Sequence, residues 1–176
     1  MKKLSMDELQ RSSIKDFKDS EKYPLVVVLD SVRSMSNVGS IFRTCDGFAV
    51  EKLYLCGITA QPPHKEITKT ALGATESVDW EYHQDVVELV NQLKNEHYKV
   101  FLIEQTDNSI MLDQFQYQPQ DKIAIVLGNE VFGVDEKLLP LCDGVIEIPQ
   151  YGTKHSFNVT IAGGIVIWEM VKQMNF

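Results

Sequence analysis

Cysteine is scarce in this chain. Cys45, Cys56 and Cys142 are widely spaced and form no Cys-x-x-Cys pair. A dispersed, odd-numbered set argues against a disulfide framework and offers no spacing for a zinc site; it suits a reducing cytoplasm. Long hydrophobic runs are missing as well. The most apolar stretch, residues 159–170, is broken by Thr160, Gly163, Gly164 and Glu169 and is too short to cross a bilayer. The amino-terminal residues turn acidic at Asp7 and Glu8, too early for a secretory signal. Positive charge is in the minority: 17 Lys and Arg stand against 25 Asp and Glu, a net charge of −8. Proteins that bind nucleic acid are usually basic, because phosphate contacts supply much of their affinity. The charge balance alone therefore argues against RNA, although it leaves room for cations gathered in a local patch. No repeat, low-complexity tract or linker interrupts the chain.

What is present is enough for one domain. The 176 residues are 44% hydrophobic, which supports a real core. Residues 1–22 are polar and mixed in charge, and Leu4, Leu9, Ile14 and Phe17 recur at helical spacing, so they predict a helical extension lying on the main domain at 23–176. Lys15 and Lys18 read as a solvated face of that extension, with an RNA-facing edge as the alternative.

From Tyr23 onward strand and helix signals alternate. Residues 25–29 are continuously apolar, as in a strand buried on both faces. A helix is expected over 38–48, a strand over 52–56, a loop at 61–64 and a short helix over 66–72. Asp85 followed by Glu88 has the form of a capping box, opening a helix with Val86, Val90 and Leu93 on one face. Strands follow at 100–103, 123–127 and 145–148, with a short helix at 135–139 and a final helix over 158–174. Such alternation predicts an α/β fold: a mainly parallel sheet with helices on both faces. Ligands of such sheets bind beyond the carboxyl ends of the strands, which directs attention to the loops there.

Three of those loops are unusual. The first, after Leu29, contains Asn37, Gly39, Arg43 and Thr44. Asn37 and Gly39 stand where a helix is expected to begin, and free backbone N–H groups there suit an anion; a plain cap and a surface ion pair are the alternative roles for Asn37 and Arg43. The second loop runs Gly128, Asn129, Glu130, Val131, Phe132, Gly133. Its glycines permit close backbone approach or positive φ. It matches neither a dinucleotide fingerprint nor a P-loop, and Glu130 is either an orienting carboxylate or an exposed turn residue. The third loop begins at Pro149 and carries Gly152, Lys154, His155, Ser156, Phe157 and Asn158. Phe157 looks buried, Ser156 and Asn158 have N-capping chemistry, Lys154 has the reach for a phosphate, and His155 reads as exposed loop.

Taken together and in this order, Asn-x-Gly-x-x-x-Arg-Thr, then Gly-Asn-Glu-x-x-Gly, then Ile-Pro-x-x-Gly-x-x-x-Ser-Phe-Asn-Val resemble the three motifs of the SpoU/TrmH ribose methyltransferases of the SPOUT superfamily. The resemblance runs from about residue 25 to 170, and the segment from Lys69 to Ala74 resembles the family's stretch between its first and second motifs. Position 157 departs from the pattern, with Phe where Leu is common, and the separate RNA-binding domain of many relatives is not seen.

The resemblance implies a deep C-terminal trefoil knot made by the second and third loops, which holds S-adenosylmethionine. Gly128, Ile148, Ser156, Phe157 and Asn158 would line that cofactor site. It implies a homodimer whose active sites are completed across the interface, for which the apolar stripe Val159, Gly163, Val166, Met170 and Met174 of the last helix is a candidate, although such a stripe is more often plain core and can serve both. It implies transfer of a methyl group to a ribose 2′-hydroxyl of tRNA or rRNA, with Arg43, Asn37, Glu130, Ser156 and Asn158 in the catalytic group and no metal. A guanidinium is a poor free base, so Arg43 is expected to bind the 2′-oxygen and the adjacent phosphate together, with Glu130 holding Arg43 or the RNA backbone. The alternatives are a non-catalytic RNA- or cofactor-binding module of the same fold, an unrelated nucleotide- or flavin-binding α/β domain, and a SPOUT enzyme that methylates a base.

Overall fold

The computed structural model describes residues 1–5, 7–9 and 11–175. A 3-10 turn at Asp7–Leu9 precedes α1 (Ile14–Asp19), whose first turn is capped by Ser13 Oγ accepting from Asp16 N at 3.1 Å. This short helix lies against α4 (Ala74–Ser77). The helical extension expected for this region presents only Phe17 as a half-buried residue; Leu4, Leu9 and Ile14 are exposed.

The main body opens with β1 (Tyr23–Asp30) and α2 (Met35–Gly47). There follow β2 (Val50–Cys56), α3 (Lys65–Ala71), α4, β3 (Trp80–His83) and α5 (Val86–Asn95). After β4 (Tyr98–Ile103) come β5 (Ile110–Met111), β6 (Lys122–Leu127), β7 (Gly144–Glu147) and α6 (Val159–Asn175). All strand pairs are parallel, and the seven strands are ordered β3-β2-β1-β6-β4-β7-β5.

The pleat sorts the central strands between two apolar layers. Leu25, Val27 and Leu29 of β1, with Ile123, Ile125 and Leu127 of β6, face α2, α3 and α6; Val26, Val28, Ala124 and Val126 face α5. Full burial on both sides explains why both strands are continuously apolar in sequence. Each large side chain so removed from water contributes roughly 1.5–3 kcal/mol. Cys45 and Cys56 are buried free thiols, and burial pushes the Cys56 thiol up to about 12, so they pack as small apolar groups.

Several local expectations shift. Helix α2 starts at Met35, because Ser34 Oγ accepts from Asn37 N and serves as its N-cap. Asn37 is thus in the first turn and is not the cap. The segment expected as a helix over 135–139 is a 3-10 turn, Glu136–Leu138. Strand β3 was not evident in the sequence: its four residues are only partly buried and read as a polar edge. The capping box forms as a cap alone, with Asp85 Oδ1 accepting from Val87 N at 2.7 Å and Glu88 N at 3.3 Å.

The topology sets up the site. Strand β6 inserts between β1 and β4, and β7 adds on the far side of β4. The carboxyl ends of β1, β6, β4 and β7 therefore lie side by side, and the three unusual loops leave from β1, β6 and β7.

Candidate functional site

The loop after β6 is a tight hairpin. Asn129 and Gly133 exchange backbone hydrogen bonds at 2.8 and 2.9 Å, and Asn129 Oδ1 accepts from Val131 N and Phe132 N. Gly133 has φ +72°, and a Cβ on Gly128 would stand 2.2 Å from the Gly133 carbonyl carbon. Any side chain at 128 would therefore force the hairpin open. The turn drives Val131 and Phe132 outward; Phe132 is 83% exposed.

This hairpin is tied to the first loop at several points. Asn129 Nδ2 donates to Ser31 O at 2.7 Å. Glu130 Oε2 accepts from Arg33 N, and Glu130 Oε1 accepts from Ser34 N and from Asn37 Nδ2, each at 2.9 Å. The carboxylate thus sits at the amino end of α2, where unpaired N–H groups and the helix dipole favour an anion. Partial burial raises the Glu130 carboxyl, but the hydrogen bonds from Arg33, Ser34, its own backbone and Asn37 outweigh it and hold the group below the ordinary carboxylate range. The anion expected at this helix start is the protein's own side chain. Nearby, Asp30 Oδ2 accepts from Asp135 N at 2.8 Å, and burial pushes the Asp30 carboxyl up.

The third loop joins the same network. Asn158 Oδ1 accepts from Thr160 N at 2.9 Å, capping α6, while Asn158 Nδ2 reaches Asn37 Oδ1 at 3.4 Å. Asn37, Glu130 and Asn158, one from each loop, are linked in a row.

Over the ends of β6, β4 and β7 the second and third loops, with Glu104 and Gln105 after β4, enclose a cavity of about 610 Å³. Its lining includes Gly128, Ile148, Ser156, Phe157 and Asn158, all the residues assigned to cofactor binding from the sequence. Leu127, Ile146 and Ala162 supply an apolar wall, and Glu104 and Glu130 supply carboxylates; no Lys or Arg is among the lining residues. A pocket of this volume is right for a small organic ligand. Its chemistry disfavours a phosphate-bearing nucleotide and suits a ligand with a neutral aromatic part and a positive centre. Phe157 is 42% exposed, not buried as its setting before an apolar helix suggested, because it lines this open cavity and does not enter the core.

Arg43 is elsewhere. It projects from the exposed side of α2 into a second pocket of about 530 Å³, lined by Ser40, Arg43, Thr44, Gly47, Phe48, Lys69 and Thr70. Glu130 does not contact it. Gly39 is neither a cap nor a phosphate cradle: a Cβ there would stand 2.2 Å from Thr70 Oγ1 and 2.3 Å from Ile67 O, so glycine lets α2 and α3 touch backbone to backbone. The stripe Val159, Gly163, Val166 and Met170 is core, and Ile161 and Trp168 form the exposed face of α6 instead. Sequence reasoning missed Asn129 as the brace of the second loop and Glu104, whose carboxylate accepts from Gln105 N and Val134 N. The position of Glu104 directly after β4 was the available signal.

A fully parallel sheet and a ligand-sized cavity, free of Lys and Arg, over the ends of its central strands define an α/β protein with its candidate site at the loop ends. The chain belongs to the SpoU rRNA Methylase family, whose model matches residues 24–168. It is 28% identical over 166 residues to a tRNA (guanosine(18)-2′-O)-methyltransferase of Thermus thermophilus, an alignment covering 94% of this chain and 84% of that one. Its fold is similar to that of the A. aeolicus TrmH/SpoU tRNA modifying enzyme, with a TM-score of 0.81, 25% identity, and 92% and 82% of the two chains covered. The fold is likewise shared with an AdoMet-bound rRNA methyltransferase from Sinorhizobium meliloti, with a TM-score of 0.81, 23% identity, and 90% and 60% covered. Among the described residues, no helix is long and apolar enough to cross a membrane, and no group of three or more His, Cys, Asp or Glu residues is placed to hold a metal.

Proposed function

We propose that this protein transfers a methyl group from S-adenosylmethionine to a ribose 2′-hydroxyl of tRNA or rRNA. The observation that carries the reading is a cavity without cations lined by the second and third loops, to which the first loop is tied through Asn37, Glu130 and Asn158. The family membership and the tRNA- and rRNA-modifying relatives agree with it.

When bound, the cofactor supplies an electrophilic methyl on a sulfonium that leaves as a neutral thioether. Gly128, Ile148, Ser156, Phe157 and Asn158, which line the cavity, would hold it. The apolar wall beside them solvates a positive charge poorly, and this favours the charge loss that accompanies transfer. Glu130 is a positioning residue: with both oxygens occupied by N–H donors it is a poor proton acceptor, and it fixes the first loop against the second. Arg43 holds the 2′-oxygen and a neighbouring phosphate together, stabilising the developing alkoxide while the phosphate shares the proton. Alignment of oxygen and methyl contributes further, up to roughly 7–11 kcal/mol in favourable cases.

Arg43 lies outside the cofactor cavity of its own chain, so the active site is completed by a second copy in a homodimer. The exposed face of α6, with Ile161, Trp168 and the open Gly164, is the surface offered for that contact. The second and third loops form a trefoil knot in this reading, and the protein works in the reducing cytoplasm, where its RNA substrates and its free thiols both persist.

The test is transfer of radiolabelled methyl from S-adenosylmethionine to unmodified tRNA and rRNA. Label recovered in an alkali-resistant 2′-O-methyl dinucleotide is the expected result. Cofactor binding without transfer to either RNA, in the dimer, would replace the enzyme with a non-catalytic binding module.

A further inference from the structure

The pocket between α2 and α3 differs in charge from the cavity over β6 and β7. Arg43 and Lys69 both line it, and no carboxylate does. Neither forms an ion pair among the described residues, whereas Lys52, Lys94, Lys99 and Lys172 are paired with Glu81, Asp143, Asp121 and Glu169. What sets them apart is that two cations share one pocket with no carboxylate in its lining, in a chain of net charge −8.

The pocket's hydroxyl groups sharpen the point. Ser40 Oγ donates to Ser36 O at 2.8 Å, Thr44 Oγ1 to Ser40 O at 3.1 Å, and Thr70 Oγ1 to Ser36 O at 3.1 Å. Their hydrogens are turned onto helix carbonyls. The backbone N–H of Phe48 is likewise spent on Thr44 O. The outward donors of the pocket are then the guanidinium of Arg43 and the ammonium of Lys69. A fork of planar N–H groups beside a mobile ammonium, with no negative lining, is chemistry for a phosphate.

We propose that Lys69 is a phosphate-binding residue for the RNA substrate, gripping with Arg43 a phosphodiester of the RNA chain in the α2–α3 pocket. This rests on the RNA-methyltransferase reading above. It offers an acidic protein a local site for RNA: two cations gathered in one pocket that holds no carboxylate. The close crossing of α2 and α3 at Gly39 brings Lys69 up to Arg43, and Thr70, which bonds across to Ser36 O, locks the two helices at that separation. Lys69 is 26 residues from Arg43 in the chain, and the packing of α3 on α2 brings both into one pocket.

The experiment measures binding of unmodified tRNA to the full-length protein over a range of salt concentrations, together with steady-state methyl transfer and S-adenosylmethionine affinity. Lys69→Ala is expected to weaken RNA binding several-fold and to lower the salt slope by about 1, the signature of one lost phosphate contact. KM for RNA should rise more than kcat falls, and cofactor affinity should not change. Lys69→Arg should restore most of the slope. Lys137→Ala, which removes the same charge from the 3-10 turn beside α5, should leave it unaltered. A Lys69→Ala slope equal to wild type, or a loss no larger than that of Lys137→Ala, overturns the assignment while leaving the methyltransferase standing. A wild-type protein that binds cofactor yet neither binds nor methylates RNA overturns both.

Discussion

Two pockets of this molecule are similar in volume, about 610 and 530 Å³, and opposite in charge. The cavity over β6 and β7 is walled by apolar groups and carboxylates and has no cation; the α2–α3 pocket has two cations and no carboxylate. The first fits a ligand with a positive centre, the second a ligand with a negative one. A methyl transfer from a sulfonium to a phosphate-linked ribose needs both, kept apart until substrate and cofactor meet. Glu130 belongs to the border between them: it comes from the cavity's own hairpin and holds the start of the helix that carries Arg43.

The largest test of that division is Arg43→Ala. Methyl transfer should fall by about 10²–10³-fold, as for loss of a single stabilising donor at a developing oxyanion, with S-adenosylmethionine affinity preserved in calorimetry. Equal losses in both would mean the pockets are not separate. Gly128→Ala tests the opposite side. Its Cβ would press on Gly133 at 2.2 Å, and the overpacking costs about 1–3 kcal/mol, expressed as loss of cofactor affinity with RNA binding retained.

Glu130→Gln should disturb both sites together, by up to about 1 kcal/mol of stability, since an exposed anion at a helix start is worth about 0.3–1 kcal/mol. Its carboxyl is held below the ordinary range in the folded chain, so the stability it contributes is present above the unfolded value of about 4.3 and is lost as pH falls through the lower folded value. Denaturant melts across the acid limb should be flatter for Glu130→Gln than for wild type; parallel curves would count against the helix-start role. The smallest effect is a pair on α6. Gly163→Ala brings a Cβ to 2.9 Å from Leu127 Cδ1 and should destabilise the fold, whereas Gly164→Ala meets nothing within 4 Å and should be neutral or stabilise the helix by up to about 1 kcal/mol. If Gly164→Ala lowers the dimer fraction in sedimentation, the exposed face of α6 is the contact between copies.

Much of the fold was legible in the chain. Continuous apolar runs marked β1 and β6 because both are buried on two faces, and the capping residue Asp85 marked the start of α5. Strand β3 was not legible, since an edge strand with partly buried residues has neither the continuous nor the alternating pattern. The three loop motifs were visible as residue types at fixed spacing, and the five residues assigned to the cofactor do line one cavity. Phe157 was misjudged, and the α6 stripe was left open between core and interface, because periodicity tells which residues share a face and not what that face meets.

The sequence by itself determined the parallel α/β architecture, the absence of a disulfide scaffold and the resemblance to a ribose methyltransferase, because these follow from hydrophobic period, composition and local spacing. Only the tertiary structure decided that Glu130 holds the segment leading into α2 and not Arg43, that Asn37, Glu130 and Asn158 form one row, and that Lys69 shares a pocket with Arg43. Those are contacts between segments 26 to 121 residues apart, set by the insertion of β6 beside β1 and by the close crossing of α2 and α3. No local pattern encodes such distances; the packing of the whole sheet does.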